Sequence, residues 1–144
     1  MKVVAVVGPT KSGKTLLISA LVGSLKKHGR VGTIKHMPHH PIEDKGDTRR
    51  HFQAGADVVI GLGQNQIQFK VSREGRLNSA LDELRSSGVN FAIVEGFKTS
   101  LLPKIVLGEI EVANNIRRVD MREINDRLIE DLTQLVLELP DYSV

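Results

Sequence analysis

Cysteine is absent from the 144 residues, tryptophan likewise, and the remaining aromatic rings come to one tyrosine and four phenylalanines. Without cysteine there is neither a disulfide framework nor a thiolate metal centre, and the cytoplasm is the simple expectation for such a chain. With so few rings there is little on which to stack unpaired bases. The net charge of +3 and the pI near 9.3 therefore point to a phosphate-bearing small ligand rather than to nucleic acid. Long apolar runs are missing too. The opening run Val3 to Val7 is far shorter than the ~20 residues that cross a bilayer, and it leads into glycine rather than a cleavage site, so it reads as a buried strand with no membrane partner.

What is present is ordinary globular material, 40% hydrophobic and 26% charged, with no repeat or linker to divide it. Residues 1–144 are expected to form a single nucleotide-binding domain. Residues 2 to 7 form a β-branched run of the kind buried on both faces of a parallel sheet. Leu17, Ile18, Leu21, Val22 and Leu25 then recur at helical spacing, with Gly29 just past the last turn, which predicts a helix of about four turns. Val31 to Lys35 reads as a second strand, His36 to Gly46 as a polar surface loop, and Asp47 or Thr48 as the cap of a short helix ending at Gly55.

Asp57 to Val71 has the alternation of a hairpin with one half-buried face. Leu77, Leu81 and Leu84 outline a helix that stops at Ser86-Ser87-Gly88, before the buried strand Phe91 to Val94. Lys104 to Ile110 is a weaker strand opened by Pro103. Asp120 with Glu123 resembles a capping box, opening a long amphipathic helix through Met121, Ile124, Leu128, Leu132, Leu135 and Leu139 that Pro140 closes. The expected fold is α/β, a P-loop NTPase whose mostly parallel sheet is flanked by helices and carries a β-hairpin insert.

Between the first strand and first helix stands Gly8-Pro9-Thr10-Lys11-Ser12-Gly13-Lys14-Thr15, a complete Gly-x-x-x-x-Gly-Lys-Thr octet in the context that gives the motif meaning. A polyphosphate needs several donors at once, and backbone N–H groups reach it only where side chains do not intervene, which is the use of Gly8 and Gly13. The helix N-terminus beyond them favours an anion. Lys14 then places an ammonium between β- and γ-phosphates, and the Thr15 hydroxyl can ligate Mg²⁺. Lys11 is either a phosphate contact or an exposed loop lysine.

Glu95 closes a buried strand, where ligands sit in open α/β sheets; it is a candidate to hold Mg²⁺ or orient water, or else a plain strand-end acid. Asp47 is divided between the same metal or water role and a simple helix cap. Four of the five histidines fall between positions 36 and 51, but their spacing does not outline a metal site. Lys35 and His36, at a strand end, are the better ligand contacts. Lys98 and Lys104 flank a loop leaving the Glu95 strand and could meet a second anion, although for either alone a solvated surface lysine is the simpler account.

Several of these pieces, taken in order, resemble the molybdopterin-guanine dinucleotide biosynthesis protein B family. They are Gly8 to Thr15, Thr33-Ile34-Lys35-His36 with the histidines that follow, Asp47-Thr48 before Ala54-Gly55-Ala56, Val94-Glu95-Gly96-Phe97-Lys98, and Pro103-Lys104-Ile105. The resemblance implies a GTP-binding, weakly hydrolysing accessory protein that acts on a molybdopterin-type cofactor together with the molybdenum cofactor guanylyltransferase, as a homodimer. On the family's pattern the octet holds phosphate and Mg²⁺, Asp47 and Glu95 serve metal or water, and Lys35, His36 and Lys98 line the ligand cleft. The family often has Asp at the start of the Glu95 strand where this chain has Asn90, a strand's length from the phosphates. No Asn-Lys-x-Asp motif is present, so guanine preference rests on the resemblance alone. A small-molecule kinase and a non-hydrolysing nucleotide-binding scaffold are the competing readings.

Overall fold

The protein is described from a computed structural model, which covers residues 1–37, 50–51, 53–66, 68–72 and 76–143. Its strands are β1 (Lys2–Val7), β2 (Val31–Lys35), β3 (Val58–Leu62), β4 (Gln68–Ser72), β5 (Phe91–Glu95), β6 (Lys104–Leu107) and β7 (Asn115–Val119), and its helices α1 (Lys14–Leu25), α2 (Leu77–Ser86) and α3 (Asp126–Leu137). Five strands form one sheet in the order β2-β5-β1-β6-β7, each neighbouring pair parallel. The chain divides into two compact units, Met1–His36 with Ala80–Val144, and Met37–Ser79.

In the first unit β1 is central, and from Val3 to Val7 both of its faces are buried, which is why this stretch is continuously apolar instead of alternating. Val4, Val6, Phe91, Ile93, Ile105 and Leu107 meet Leu17, Leu21 and Leu25 of α1 and Leu132 and Val136 of α3 in one core. Gly32, in register with Ala92, lies on the opposite face, where a Cβ would come within 2.7 Å of Leu84 Cδ2, so α2 packs there against bare backbone. Full burial of one leucine is worth roughly 2 kcal/mol and a side-chain N-cap about 1 kcal/mol. Packing therefore fixes α1, and its start can be left to Gly13, which forms no side-chain cap.

Several sequence expectations need correction. Helix α1 stops at Leu25, four residues before Gly29. Gly29 serves Asn90 instead: a Cβ there would lie 2.7 Å from Asn90 Oδ1, which accepts the Arg30 N–H at 2.8 Å and joins the starts of β2 and β5. Strand β6 is only Lys104–Leu107, ended by Gly108 at φ 82°. Asp120 caps a 3₁₀ turn, Met121–Glu123, while α3 begins later with Asn125 as N-cap, its Oδ1 accepting from Leu128 N at 2.8 Å.

Strand β7 was not foreseen. It runs parallel to β6 after a return of residues 108–114 that contains no helix. Two basic side chains hold this return. Arg118 Nη2 donates to Ile110 O at 3.0 Å and Arg118 Nη1 to Gly108 O, and Lys104 Nζ donates to Ala113 O and Leu102 O, both at 3.0 Å, and to Ser100 O. Lys104 is thus fully buried, not solvated and not facing an anion, and burial lowers its pKa.

The second unit carries the expected hairpin, β3 antiparallel to β4, with Val59 opposite Val71 and Gly61 opposite Phe69. Its connection includes a 3₁₀ turn at Gln64–Gln66, and β4 begins at Gln68. Val58, Ile60 and Leu62 are exposed along one face of β3, Leu62 by 79%. The start of the short helix at Asp47 or Thr48 and nearly all of the loop 36–46 lie outside the described residues; the helix end is marked by Ala54 N–H donating to Arg50 O at 3.0 Å and by Gly55 at φ 112°. No helix among the described residues is long and apolar enough to cross a membrane.

Candidate functional site

Because β2, β5, β1 and β6 run parallel, their carboxyl ends share one edge of the sheet, and there the chain leaves β1 into the octet. The loop is tight at both glycines. A Cβ on Gly8 would come within 2.9 Å of Leu107 O and of Ser12 Oγ, and Gly13 sits at φ 97°, a left-handed conformation that glycine adopts freely. Ser12 N–H donates to Pro9 O at 3.2 Å and Leu17 N–H to Gly13 O at 3.0 Å, so the bend passes directly into α1. Lys14 folds back over the loop, its Nζ donating to Gly8 O at 2.7 Å and to Pro9 O at 3.3 Å. Pro9, Thr10, Lys11 and Thr15 are exposed, and Lys11 occupies a left-handed turn at φ 62°.

The neighbouring strand ends bring the next residues to this edge. Val6 pairs with Glu95, and Glu95 with Lys35. Gly96 N–H donates to Val6 O at 3.0 Å and His36 N–H to Glu95 O at 2.9 Å, which binds the three strand ends together. The run Gly96-Phe97 takes two left-handed residues in succession, φ 97° and 55°, and this turns the Phe97 ring onto His36 with centroids 4.0 Å apart and planes at 17°. Gly96 is required twice over, since a Cβ there would lie 2.8 Å from His36 Cβ. Lys98 follows in the exposed turn.

The octet, Glu95, Lys35, His36 and Lys98 therefore all stand at the carboxyl ends of adjacent strands. Asp47 lies outside the described residues, and Lys104 belongs to the loop staple. Among the described residues no group of three His, Asp or Glu side chains is placed to hold a metal ion.

On the other flank of the loop, the ends of β6 and β7 enclose a cleft of about 510 Å³, lined among others by Ser12, Leu107, Val119, Asp120 and Met121. Ser12 Oγ is buried there with no hydrogen-bond partner among the described residues. Asp120 accepts from Arg122 through Nε at 3.0 Å and Nη2 at 2.6 Å, which pulls its carboxyl down to a pKa of about 2. Sequence reasoning gave Asp120 only a capping role. The cleft is assembled from the ends of β6 and β7, the residues that follow each of them, and Ser12 of the loop, parts that lie far apart in sequence.

No curated protein matches the chain significantly. Among solved structures, a MobB protein homolog from Bacillus stearothermophilus superposes with a TM-score of 0.72 at 23% identity, covering 95% of this chain and 99% of its own. Bacillus subtilis MobB does so with a TM-score of 0.72 at 21% identity, over 94% of this chain and 98% of its own. At such identities the likeness speaks to the α/β fold alone. The profile of the family described as molybdopterin guanine dinucleotide synthesis protein B matches residues 3–128. The match takes in the octet, all five strands of the parallel sheet and the start of α3, so the chain belongs to the MobB family.

Proposed function

We propose that the protein binds GTP with Mg²⁺ on the loop Gly8 to Thr15, hydrolyses it slowly, and serves as an adaptor to the molybdenum cofactor guanylyltransferase and its molybdopterin-type ligand. Membership of the MobB family supports a role in molybdopterin guanine dinucleotide biosynthesis. The observation that carries the nucleotide reading is the loop's geometry: a left-handed Gly13 at the start of a helix without a side-chain cap, and a lysine folded back over the bend. The cradle at Gly8, which a Cβ would fill, and the buried Ser12 hydroxyl fit a polyphosphate tail.

In this reading the loop amides and Lys14 hold the phosphates, and the Thr15 hydroxyl, with Glu95 and Asp47, holds the metal or its water. Mg²⁺ would neutralise charge developing on the phosphate oxygens. Lys35, His36 and Lys98 receive the second anionic ligand at the β2 and β5 ends. Slow turnover matches a phosphate loop beside which the described residues form no dedicated phosphoryl-acceptor site. The whole chain acts as one nucleotide-binding domain in the cytoplasm.

A homodimer accompanies this reading. A two-stranded sheet is marginal alone, and β3 presents Val58, Ile60 and Leu62 to solvent, so a second copy pairing there would cover both edge and face. Calorimetric titration tests the core of the proposal. GTP with Mg²⁺ should bind the wild type, and Lys14→Ala should lose at least tenfold in affinity with an unchanged circular dichroism spectrum. Equal binding by Lys14→Ala would refute it, and phosphorylation of a metabolite one-to-one with nucleotide loss would favour a kinase.

A further inference from the structure

The turn between α1 and β2, Lys26-Lys27-His28-Gly29-Arg30, takes no part in any role assigned above. Helix α1 runs 12 residues from Lys14 at the phosphate loop to Leu25, about 18 Å at the usual rise, so the turn stands at the opposite, amino edge of the parallel sheet. Lys26, Lys27, His28 and Arg30 are all exposed there. The 20 lysines and arginines of the chain exceed its 17 acids by three, and Lys26, Lys27 and Arg30 alone equal that surplus.

These charges are not neutralised on the spot. Among the described residues none of the three side chains makes an ion pair, while neighbouring groups of the same edge are already engaged: Asp82 with Arg85 at 3.3 Å, Asp141 with the Met1 α-amino group at 3.4 Å, and Lys2 Nζ with Leu139 O. The two lysines complement the carboxyl end of the α1 dipole. That accounts neither for Arg30, which lies beyond the helix, nor for the stiffness of the turn. Arg30 O accepts the N–H groups of Asn90 at 2.9 Å and Phe91 at 3.1 Å, while the Arg30 N–H donates to Asn90 Oδ1. The guanidinium lies against Gly88, with Nη1 3.5 Å from the point a Cβ would occupy. Asn90 supplies its acceptor without the negative charge that an aspartate would add. The cations are thus carried on a backbone with little freedom left to lose on binding.

The turn contains no apolar side chain and no Phe, Tyr or Trp. Stable attachment to a bilayer takes an apolar or acyl anchor beside basic charge, and single-stranded nucleic acid is held by aromatic stacking as well as charge. What the turn offers is fixed positive charge alone, which protein interfaces use to steer encounter and set register. We propose that Lys26 to Arg30 is a docking surface for an acidic face of a protein partner, the guanylyltransferase of the adaptor reading on which this inference rests. Docking at this edge leaves the phosphate loop open, so partner and nucleotide bind independently.

The test is calorimetric titration of the molybdenum cofactor guanylyltransferase with the wild type, with Lys26→Glu/Arg30→Glu, and with the charge-matched control Arg117→Glu/Arg127→Glu, whose arginines are exposed on β7 and α3, at about 50 and about 300 mM salt. Melting curves should be alike, since all four positions are exposed. At low salt the reversal in the turn should weaken binding at least about 30-fold and the control less than about threefold, and high salt should narrow the difference. Saturating GTP with Mg²⁺, and separately Lys14→Ala, should each change wild-type affinity by less than about threefold. A reversal variant that binds like the wild type, or a control that loses as much, overturns the docking assignment and leaves the adaptor reading standing. Affinity that depends about tenfold or more on GTP also overturns it, because the contact then involves the phosphate edge. If the reversal spares the guanylyltransferase but abolishes sedimentation with phosphatidylserine vesicles or single-stranded RNA, the partner class is wrong. A wild type that binds no guanylyltransferase overturns both readings.

Discussion

Gly13 is pressed against Met121: a Cβ at the glycine would stand 3.0 Å from the methionine Cγ and 3.1 Å from its Cε. The last glycine of the phosphate loop is thereby held by the 3₁₀ turn that follows β7, although the two stand 108 positions apart in sequence. Substitution Gly13→Ala meets two obstacles, a left-handed φ of 97° and the methionine. The first costs about 1–2 kcal/mol. We expect a lower melting temperature and at least tenfold weaker GTP binding. Adding Met121→Ala should recover part of the stability, because it removes the steric obstacle and leaves the backbone strain. A double mutant no more stable than Gly13→Ala would mean that Met121 gives way freely.

Lys104 donates to three carbonyl oxygens and is fully buried. Replacing it by methionine strands those acceptors, and the expected loss in urea unfolding is about 3 kcal/mol. The pH dependence follows from its lowered pKa, caused by desolvation. Between that lowered value and the ordinary 10.5 the unfolded chain binds more protons than the folded one, so the stability of the wild type relative to Lys104→Met should rise with pH across this interval. A difference between the two that stays flat in alkali would show that the lysine keeps its proton.

The Asp120 carboxyl is held at about 2, chiefly by the Arg122 side-chain hydrogen bonds. A depressed carboxyl pKa contributes stability above its ordinary value of 3.8, lost as pH falls through about 2. Across neutral pH the group stays charged. Carbon-detected NMR titration should find its midpoint near 2 in the wild type and closer to 3.8 in Arg122→Ala.

The exposed row on β3 gives a prediction for assembly. Ile60→Glu places a charge in the middle of the apolar face Val58, Ile60, Leu62, and sedimentation should then show monomer at concentrations where the wild type is a dimer. A wild type that remains monomeric at high concentration would end the homodimer proposal.

The elements legible in the sequence are those whose cause is local. Val3 to Val7 is apolar throughout because both faces of β1 are covered, and the octet carries its own geometry. Glu95, Lys35 and His36 could be placed beside it because a parallel sheet collects its strand ends on one edge. What escaped notice depends on partners distant in sequence. Strand β7 is an edge strand with Arg117 and Arg118 exposed, reached without the helix that usually announces a parallel neighbour. Asp120 and Glu123 have the spacing of a capping box, but the turn they serve is closed by Ile124 in an extended conformation, and Asn125 takes over as the cap of α3. Lys104 reads as a surface charge until the carbonyls of Ser100, Leu102 and Ala113 are seen around it.

The hydrogen bonds from Lys14 to Gly8 O and Pro9 O make the loop its own stand-in anion. A phosphate oxygen arriving there must outcompete two carbonyl dipoles, so its gain is a difference between acceptors rather than the full attraction of a bare ammonium. Such competition favours a ligand that brings several charged oxygens together over one that brings a single carboxylate. Under the nucleotide reading proposed above, the bend discriminates against small organic acids in favour of a polyphosphate.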